Sequence, residues 1–275
     1  MLKKLKIKCK ISDLQTLCRL VSLQGRNIDG KSYRAILDCL VNATDYLTVK
    51  AMDLQGSFAI HLLYNIPQII EQGQLPIGDI EKFESFLGRF DINDEVTVST
   101  QGNKIVIERE SPKKIARIPM AAHESILSKN AIIIDKLTWS DLHFPITGKT
   151  HYNLAATIKA EDVTSLFDDG NVLKQRILPW RIDNNILYMK IGTETAGEFE
   201  TEIQLEDLKR DESIHSVSPR TSTAFGNGLD NIFSNLSGKV TIFLQAEVEI
   251  CPLVVKQESE KYNFLALLAP YVVKE

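Results

Sequence analysis

The chain has 275 residues, 44% of them hydrophobic and 25% charged, with a net charge of −4. These are ordinary values for one large globular domain or two average ones, and they exclude an evenly basic nucleic-acid binder, although charge can still be gathered on one face. No apolar run approaches the ~20 residues of a membrane span.

The opening "MLKKLKIKCKI" has no long apolar stretch and reads as a strand rather than a signal peptide. Leu5, Ile7, Cys9 and Ile11 alternate with Lys4, Lys6, Lys8 and Lys10. Ser12 to Arg26 reads as a helix with Leu14, Leu17, Cys18 and Val21 on its apolar face and Gln15, Arg19, Ser22 and Arg26 on the opposite stripe. Strand-like runs follow in "RAILDCLVNA", "YLTVKAMD" and "SFAIHLLY", with "DLQG" as the turn between the last two.

Gly78 to Phe90 places Ile80, Phe83, Phe86, Leu87 and Phe90 on one helical face, with Lys82, Ser85 and Arg89 opposite. "DEVTVST-QGN-KIVIERE" has the alternation and turn of a hairpin, and "KKIARIPM" is one more strand. From Ala121 to Thr150 periodicity is lost, so this stretch reads as a linker, long enough to carry partial structure of its own.

The order then restarts. "KAEDVTSLF" reads as a helix, "KQRILPWRI", "NILYMKIG" and "GEFETEIQL" as strands, and "GNGLDNIFSNL" as a helix. "KVTIFLQAEV", "CPLVVKQ" and "NFLALLAP" close the chain as strands. "DYLTVKAM" compares with "NNILYMKI", and "IEKFESFLGRFDINDEVTVST" with "LDNIFSNLSGKVTIFLQ", both about 140 residues on. The reading is an internal duplication of an α+β module, an antiparallel sheet with two helices on one face.

Catalytic patterns are weak. Cys9, Cys18, Cys39 and Cys251 form no CxxC and read as reduced structural thiols. The five histidines are scattered, and no GxSxG, HExxH or phosphate-loop pattern occurs. "AFGNGLD" lacks the third glycine and the preceding strand of a dinucleotide loop, and "DINDE" reads as a polar turn rather than a calcium loop. The expectation is a protein without enzymatic activity, cofactor or metal.

Three stretches resemble the sliding clamps of the proliferating cell nuclear antigen family. They are "LTVKAMD" with "SFAIHLLY", then "DEVTVSTQGNKIVIERESPKKIARIP", and "VTIFLQAEVEICPLVVKQESEKYNFLALLAP". The resemblance implies a DNA-clamp fold of two tandem modules, residues 1–120 and 151–275, joined by a connector at 121–150. It implies a processivity factor that encircles duplex DNA without reading sequence and tethers a DNA polymerase and other replication and repair proteins. Protomers would close as a homotrimer of about six modules, placed by a clamp loader, with no membrane association. The site would be intracellular, in the nucleoid or the nucleus. The alternative is a clamp-fold interaction protein, such as a checkpoint-clamp-like subunit or a non-loading monomer. An enzyme of duplicated α+β architecture is a more distant reading.

Residues follow by position. DNA contact falls to Arg19, Arg26, Lys82 and Arg89, with Lys4 and Lys8 on the first strand. The second half offers no such stripe: Asp162, Ser165 and Asp169 occupy one helix, and Asn227, Asp230, Asn231, Ser234 and Asn235 the other. Only Lys159, Lys174 and Lys239 flank them. A hydrophobic pocket for client peptides is expected from Met52, Ala59, Ile126, Leu127, Pro252, Leu267, Leu268, Ala269 and Pro270. Subunits would join through free sheet edges, Lys113, Lys114, Ile115 and Arg117 on one and Glu198, Glu200 and Glu202 on the other.

Overall fold

A computed structural model describes residues 4–26, 31–66, 68–130, 132–148, 150–173, 178–193, 195, 197–211, 221–225, 228–246 and 251–270. The first half runs β1 (Lys6–Lys10), α1 (Ile11–Ser22), β2 (Gln24–Arg26), β3 (Ser32–Arg34), β4 (Cys39–Ala43), β5 (Leu47–Met52), β6 (Phe58–Tyr64), β7 (Gln68–Glu71), β8 (Gly73–Ile77), α2 (Ile80–Leu87), β9 (Glu95–Gln101), β10 (Lys104–Arg109) and β11 (Lys114–Pro119). The connector carries a 3-10 turn (His123–Ser125), α3 (Ile132–Asp135), β12 (Leu137–Trp139), β13 (Pro145–Thr147) and β14 (Thr150–His151). The second half runs β15 (Leu154–Lys159), α4 (Ala160–Leu173), β16 (Leu178–Asp183), β17 (Ile186–Thr193), β18 (Gly197–Gln204), β19 (Glu206–Arg210), β20 (Thr221–Phe225), α5 (Gly228–Phe233), β21 (Lys239–Leu244), β22 (Leu253–Glu258) and β23 (Tyr262–Leu268).

The strands pair antiparallel. In the first half the neighbours run β7-β1-β9-β10-β11; in the second they run β19-β15-β21-β22-β23. Likewise β6-β5-β4-β8 is matched by β18-β17-β16-β20. β23 pairs with β6, from Tyr262↔Tyr64 to Leu268↔Phe58, and so welds sheets of both halves into one of nine strands. β11 and β18 are left as edges of their sheets.

α1, α2, α4 and α5 share one face of these sheets, whereas α3 meets β6 on the Lys50 side. α1 touches α2, β1 and β6, while α4 touches α5, β15, β17 and β18. Alternation explains the seating: Ile7 and Cys9 of β1 are buried under α1, whose Leu14, Leu17, Cys18 and Val21 are buried in turn. Asp79 caps α2, its carboxylate accepting from the Lys82 amide at 2.8 Å.

Several sequence expectations change. α1 does not reach Arg26. Leu23 takes a left-handed conformation (φ 47°) that ends the helix, and the chain turns into β2. Ser22, expected on the exposed stripe, is buried and accepts from the Arg34 guanidinium at 3.1 Å. β7, β8, β15, β19 and β20 are strands that alternation did not single out, while the stretch 121–150 carries short helical and strand elements, in keeping with the partial structure its length suggested.

Candidate functional site

An apolar cavity of about 300 Å³ opens where the β5–β6 turn, the start of β22, the end of β23 and the connector converge. The turn is fixed by Asp53, itself buried, whose carboxylate accepts from the Phe58 amide at 2.9 Å and the Gln55 amide at 3.3 Å. Gly56 supplies the positive φ of 70° there. Ala269 donates its amide to the Ser57 carbonyl at 2.8 Å, which prolongs the β23–β6 ladder beside the turn. Pro252, having no N–H, leaves that part of the wall without a ladder donor.

The walls include Phe58, Ala59, Pro252, Leu267 and Ala269, with Ile133 of α3, Lys136 just after that helix, Thr147 at the end of β13 and Gly148 beyond it. An ion pair of 2.6 Å between Lys50 of β5 and Asp135 ties α3 to the sheet. His61, opposite Lys50 in the β5–β6 ladder, has its pKa lowered, first by burial and then by the Lys50 charge.

Of the residues expected here, Ala59, Pro252, Leu267 and Ala269 line the cavity. Leu268 does not: alternation turns it to the helix face, where it is 2% exposed and packs against Gly228 so closely that a Cβ there would lie 2.5 Å from its Cδ1. Met52 is half-buried against the core, and Pro270 is half-buried beyond the strand end. Ile126 is buried and Leu127 exposed, away from the lining. Both stand where Asp38 grips the connector, its carboxylate accepting from the Leu127 and Ser128 amides at 2.9 and 3.0 Å. Alternation could not have found Ile133, Lys136, Thr147 and Gly148, because they reach the cavity through the irregular connector.

On the helical face Arg19, Lys82 and Arg89 are exposed. Arg19 borders a cleft of about 330 Å³ shared with Thr164 and Asp168 of α4 and Asp230 of α5, so carboxylates stand near its charge. Lys114 donates to the Arg89 carbonyl and lies over the Phe90 ring, 5.0 Å from its centroid. Arg26 lies in β2, and its side chain is outside the described residues, as are Lys174 and Asn227. Lys8 alternates with Ile7 and Cys9, so it sits on the sheet face turned away from α1, paired with Glu95 at 2.8 Å. Exposed Lys4 has the same parity.

The second-half helices differ from the expected exposed stripe. Asp230, Asn231 and Asn235 are buried. Asn231 donates to the Leu23 carbonyl at 2.5 Å and accepts from the Tyr33 hydroxyl, and Asn235 donates to the Gln24 carbonyl at 2.7 Å. These amides join α5 and the turn after it to Leu23, which caps the end of α1, and to Gln24 of β2. Asp162 and Asp169 are half-exposed and Ser165 exposed, and Glu161 accepts from the Gly238 amide at 2.7 Å.

At the free edges Lys113 and Arg117 are exposed on the β11 side, and Glu198, Glu200 and Glu202 on β18. Lys114 is turned to the helix side by its contacts with Arg89 and Phe90. Ile115 is half-buried.

Among the described residues no cluster of His, Cys, Asp and Glu could hold a metal. The thiols are buried, and burial pushes Cys9 up to about 12 and Cys251 up to about 11, well away from nucleophile range. No helix among the described residues is long and apolar enough to cross a membrane.

No protein-family model matches the chain, and no curated protein matches it. Solved structures do. Proliferating cell nuclear antigen from Entamoeba histolytica superposes with a TM-score of 0.72 at 11% identity, over 99% of this chain and 100% of that one. The antigen of A. fulgidus, in a structure with the C-terminal region of FEN-1 bound, gives 0.71 at 10% identity over 98% and 100%. That of Thermococcus kodakaraensis gives 0.71 at 12% identity over 97% and 100%. A full-length match at such low identity establishes architecture: this chain has the fold of proliferating cell nuclear antigen.

Proposed function

We propose that the protein is a sliding clamp, a non-enzymatic processivity factor that encircles duplex DNA and holds a polymerase and other DNA-processing proteins. The observation that carries this reading is the relation between the joined and the free edges. β23 occupies in its half the place of β11, and β6 the place of β18. The chain therefore joins its halves through one copy of an edge pair and leaves the other copy open. Such a contact is head-to-tail, and repeating it closes a ring of two-module protomers, a homotrimer in this fold. The modules are residues 1–120 and 151–275, with 121–150 as connector.

In that ring the helices face the hole. Arg19, Lys82 and Arg89 give phosphate contacts that carry no sequence information. The cavity at Ala59, Pro252, Leu267 and Ala269 receives an apolar or aromatic anchor of a client peptide. The A. fulgidus structure, with a segment of FEN-1 bound, supports a peptide-holding role for the fold. The protein would work wherever the DNA is, placed by a clamp loader.

The test is primer extension on a primed circle with a cognate polymerase. Longer products on adding the protein, with or without a loader, are expected; unchanged product length contradicts the reading. A second reading, a clamp-fold subunit of a mixed ring or a monomer that does not load, is favoured by α4, where exposed Glu161, Ser165 and Asp168 and half-exposed Asp162 and Asp169 stand in place of cations. Light scattering across a concentration series separates the two.

A further inference from the structure

The internal β23–β6 junction carries a register, and the repeated strand order allows it to be copied onto the open edges. Ile11 and Ala160 each begin the first helix of their half, which equates Ile7 with Ala156. Following the ladders outward, Ile7 pairs with Val98, Val98 with Ile107 and Ile107 with Ala116. Ala156 pairs with Ile242, Ile242 with Val255 and Val255 with Ala266. Ala116 is thus the counterpart of Ala266.

On the other side, buried Leu47 and Leu187 take the same place, each beside its hairpin partner, Ala43 or Ile182. Four residues further along each strand the ladders give Ala51↔Ile60 and Ile191↔Phe199, so Phe199 is the counterpart of Ile60. Inside the chain Ala266 pairs with Ile60.

Resting on the ring reading above, we propose that β11 of one copy pairs with β18 of a second copy in one register, Ala116 opposite Phe199, locked by Arg117 opposite Glu198 and Lys113 opposite Glu202. The antiparallel ladder fixes the last two pairs once the first is set. The pairing covers Phe199, which is 37% exposed although its counterpart Ile60 is 0% exposed. It also sorts the faces. Ala116 and Phe199 take the side where Ala266 and Ile60 are buried beneath the helices, and the ions take the other. Lys114 falls opposite Thr201, in keeping with its engagement at Arg89 and Phe90.

The internal junction has no such ions: the counterparts of the two pairs are Leu267↔Ala59 and Asn263↔Leu63, with Leu265↔His61 between them. The charges therefore belong to the joint that must choose a partner. Two β11 edges would oppose cations and two β18 edges would oppose carboxylates, so two-fold dimers are disfavoured. Sliding by one residue turns Phe199 to the wrong face. Sliding by two in either direction keeps one ion pair of the two. In the free chain Lys190 already holds Glu198 at 2.5 Å, and Lys113 approaches Glu108 at 3.5 Å, so the groups are held near the edges before assembly.

Cysteine pairs test the register under mild oxidation, the native thiols being buried. Chains carrying Arg117→Cys and Glu198→Cys together should give covalent oligomers on a denaturing gel. Arg117→Cys with Glu200→Cys, and Ile115→Cys with Glu198→Cys, should give at most a tenth as much. Preferential linking of either shifted pair overturns the register but leaves edge-to-edge assembly standing. No linking in any pair, with light scattering showing only monomer for the unmodified chain, overturns both. Should the cysteine chains misfold, charge reversal decides. Arg117→Glu should weaken assembly at least about tenfold and Glu198→Arg added to it should restore most of the affinity; a reversal without effect, or without rescue, contradicts the proposal.

Discussion

Lys261, in the turn before β23, holds Asp13 of α1 at 2.8 Å, so a residue of the second half secures the first helix of the first. Asp13 is buried, and its carboxylate also accepts from the Lys10 amide at 3.2 Å and the Tyr64 hydroxyl at 3.3 Å. Tyr64 in turn stacks on Tyr262 at 6.2 Å. The Lys261 head is largely exposed, so solvent screens its share. Asp13→Ala should lower unfolding free energy by about 2–3 kcal/mol and Lys261→Ala by about 1 kcal/mol. Denaturant midpoints at neutral pH check both, and equal costs would show that the ammonium is the whole of the interaction.

The apolar cavity and the core beneath it should separate by mutation. Ala269 is exposed on the wall. Ala269→Asp should reduce binding of a client peptide with apolar anchors at least tenfold while leaving the melting temperature within a few degrees. Leu268→Ala removes a buried side chain and should cost about 2–4 kcal/mol of stability. Fluorescence titration with calorimetry on the same samples reads both effects; peptide binding untouched by Ala269→Asp would displace the site.

The helical cations should appear in salt dependence. Replacing Arg19, Lys82 and Arg89 by Ala should flatten the slope of log affinity against log salt by about 0.9 for each phosphate that is no longer neutralised. Lys8→Ala, on the opposite sheet face, should leave the slope unchanged. A slope that responds to Lys8 and ignores Arg19 would place DNA on the other surface.

His61 sets a pH dependence. Burial and Lys50 lower its pKa below the ordinary 6.5, so the folded chain resists a proton that the unfolded chain accepts. The stabilising contribution is complete above the unfolded value and is lost as pH falls below about 6.5 toward the folded value. Unfolding midpoints should therefore fall between pH 7.5 and pH 5, and His61→Gln should make that fall shallower. A steeper fall in the variant would mean that Asp135, which favours the charged form, prevails over burial.

Much of the architecture was legible because alternation and helical spacing are direct consequences of one buried face. β5, β6, β9, β10 and the apolar face of α1 follow from them. Burial on both faces, or none, erased the signal elsewhere. β15, "LAATIK", reads almost unbroken, and β7 is an exposed edge. The polar residues in and just after α5 misled for a different reason. Asn231 and Asn235 look like a solvated stripe, yet they are buried because they pair with carbonyls some two hundred residues away. The cavity was half legible: the strand residues Ala59, Pro252, Leu267 and Ala269 are set by the sheet, while the connector residues arrive by tertiary docking that no local pattern records.

A ring closed on DNA is linked to it topologically, and cutting the DNA reads that link. The protein is placed on a nicked circular duplex with a loader, freed of unbound protein, and the DNA is then cut once. A closed ring should stay on the intact circle and leave within the time of cutting, as it slides off the new ends. Equal retention before and after the cut, or rapid release from the intact circle, would contradict a closed ring.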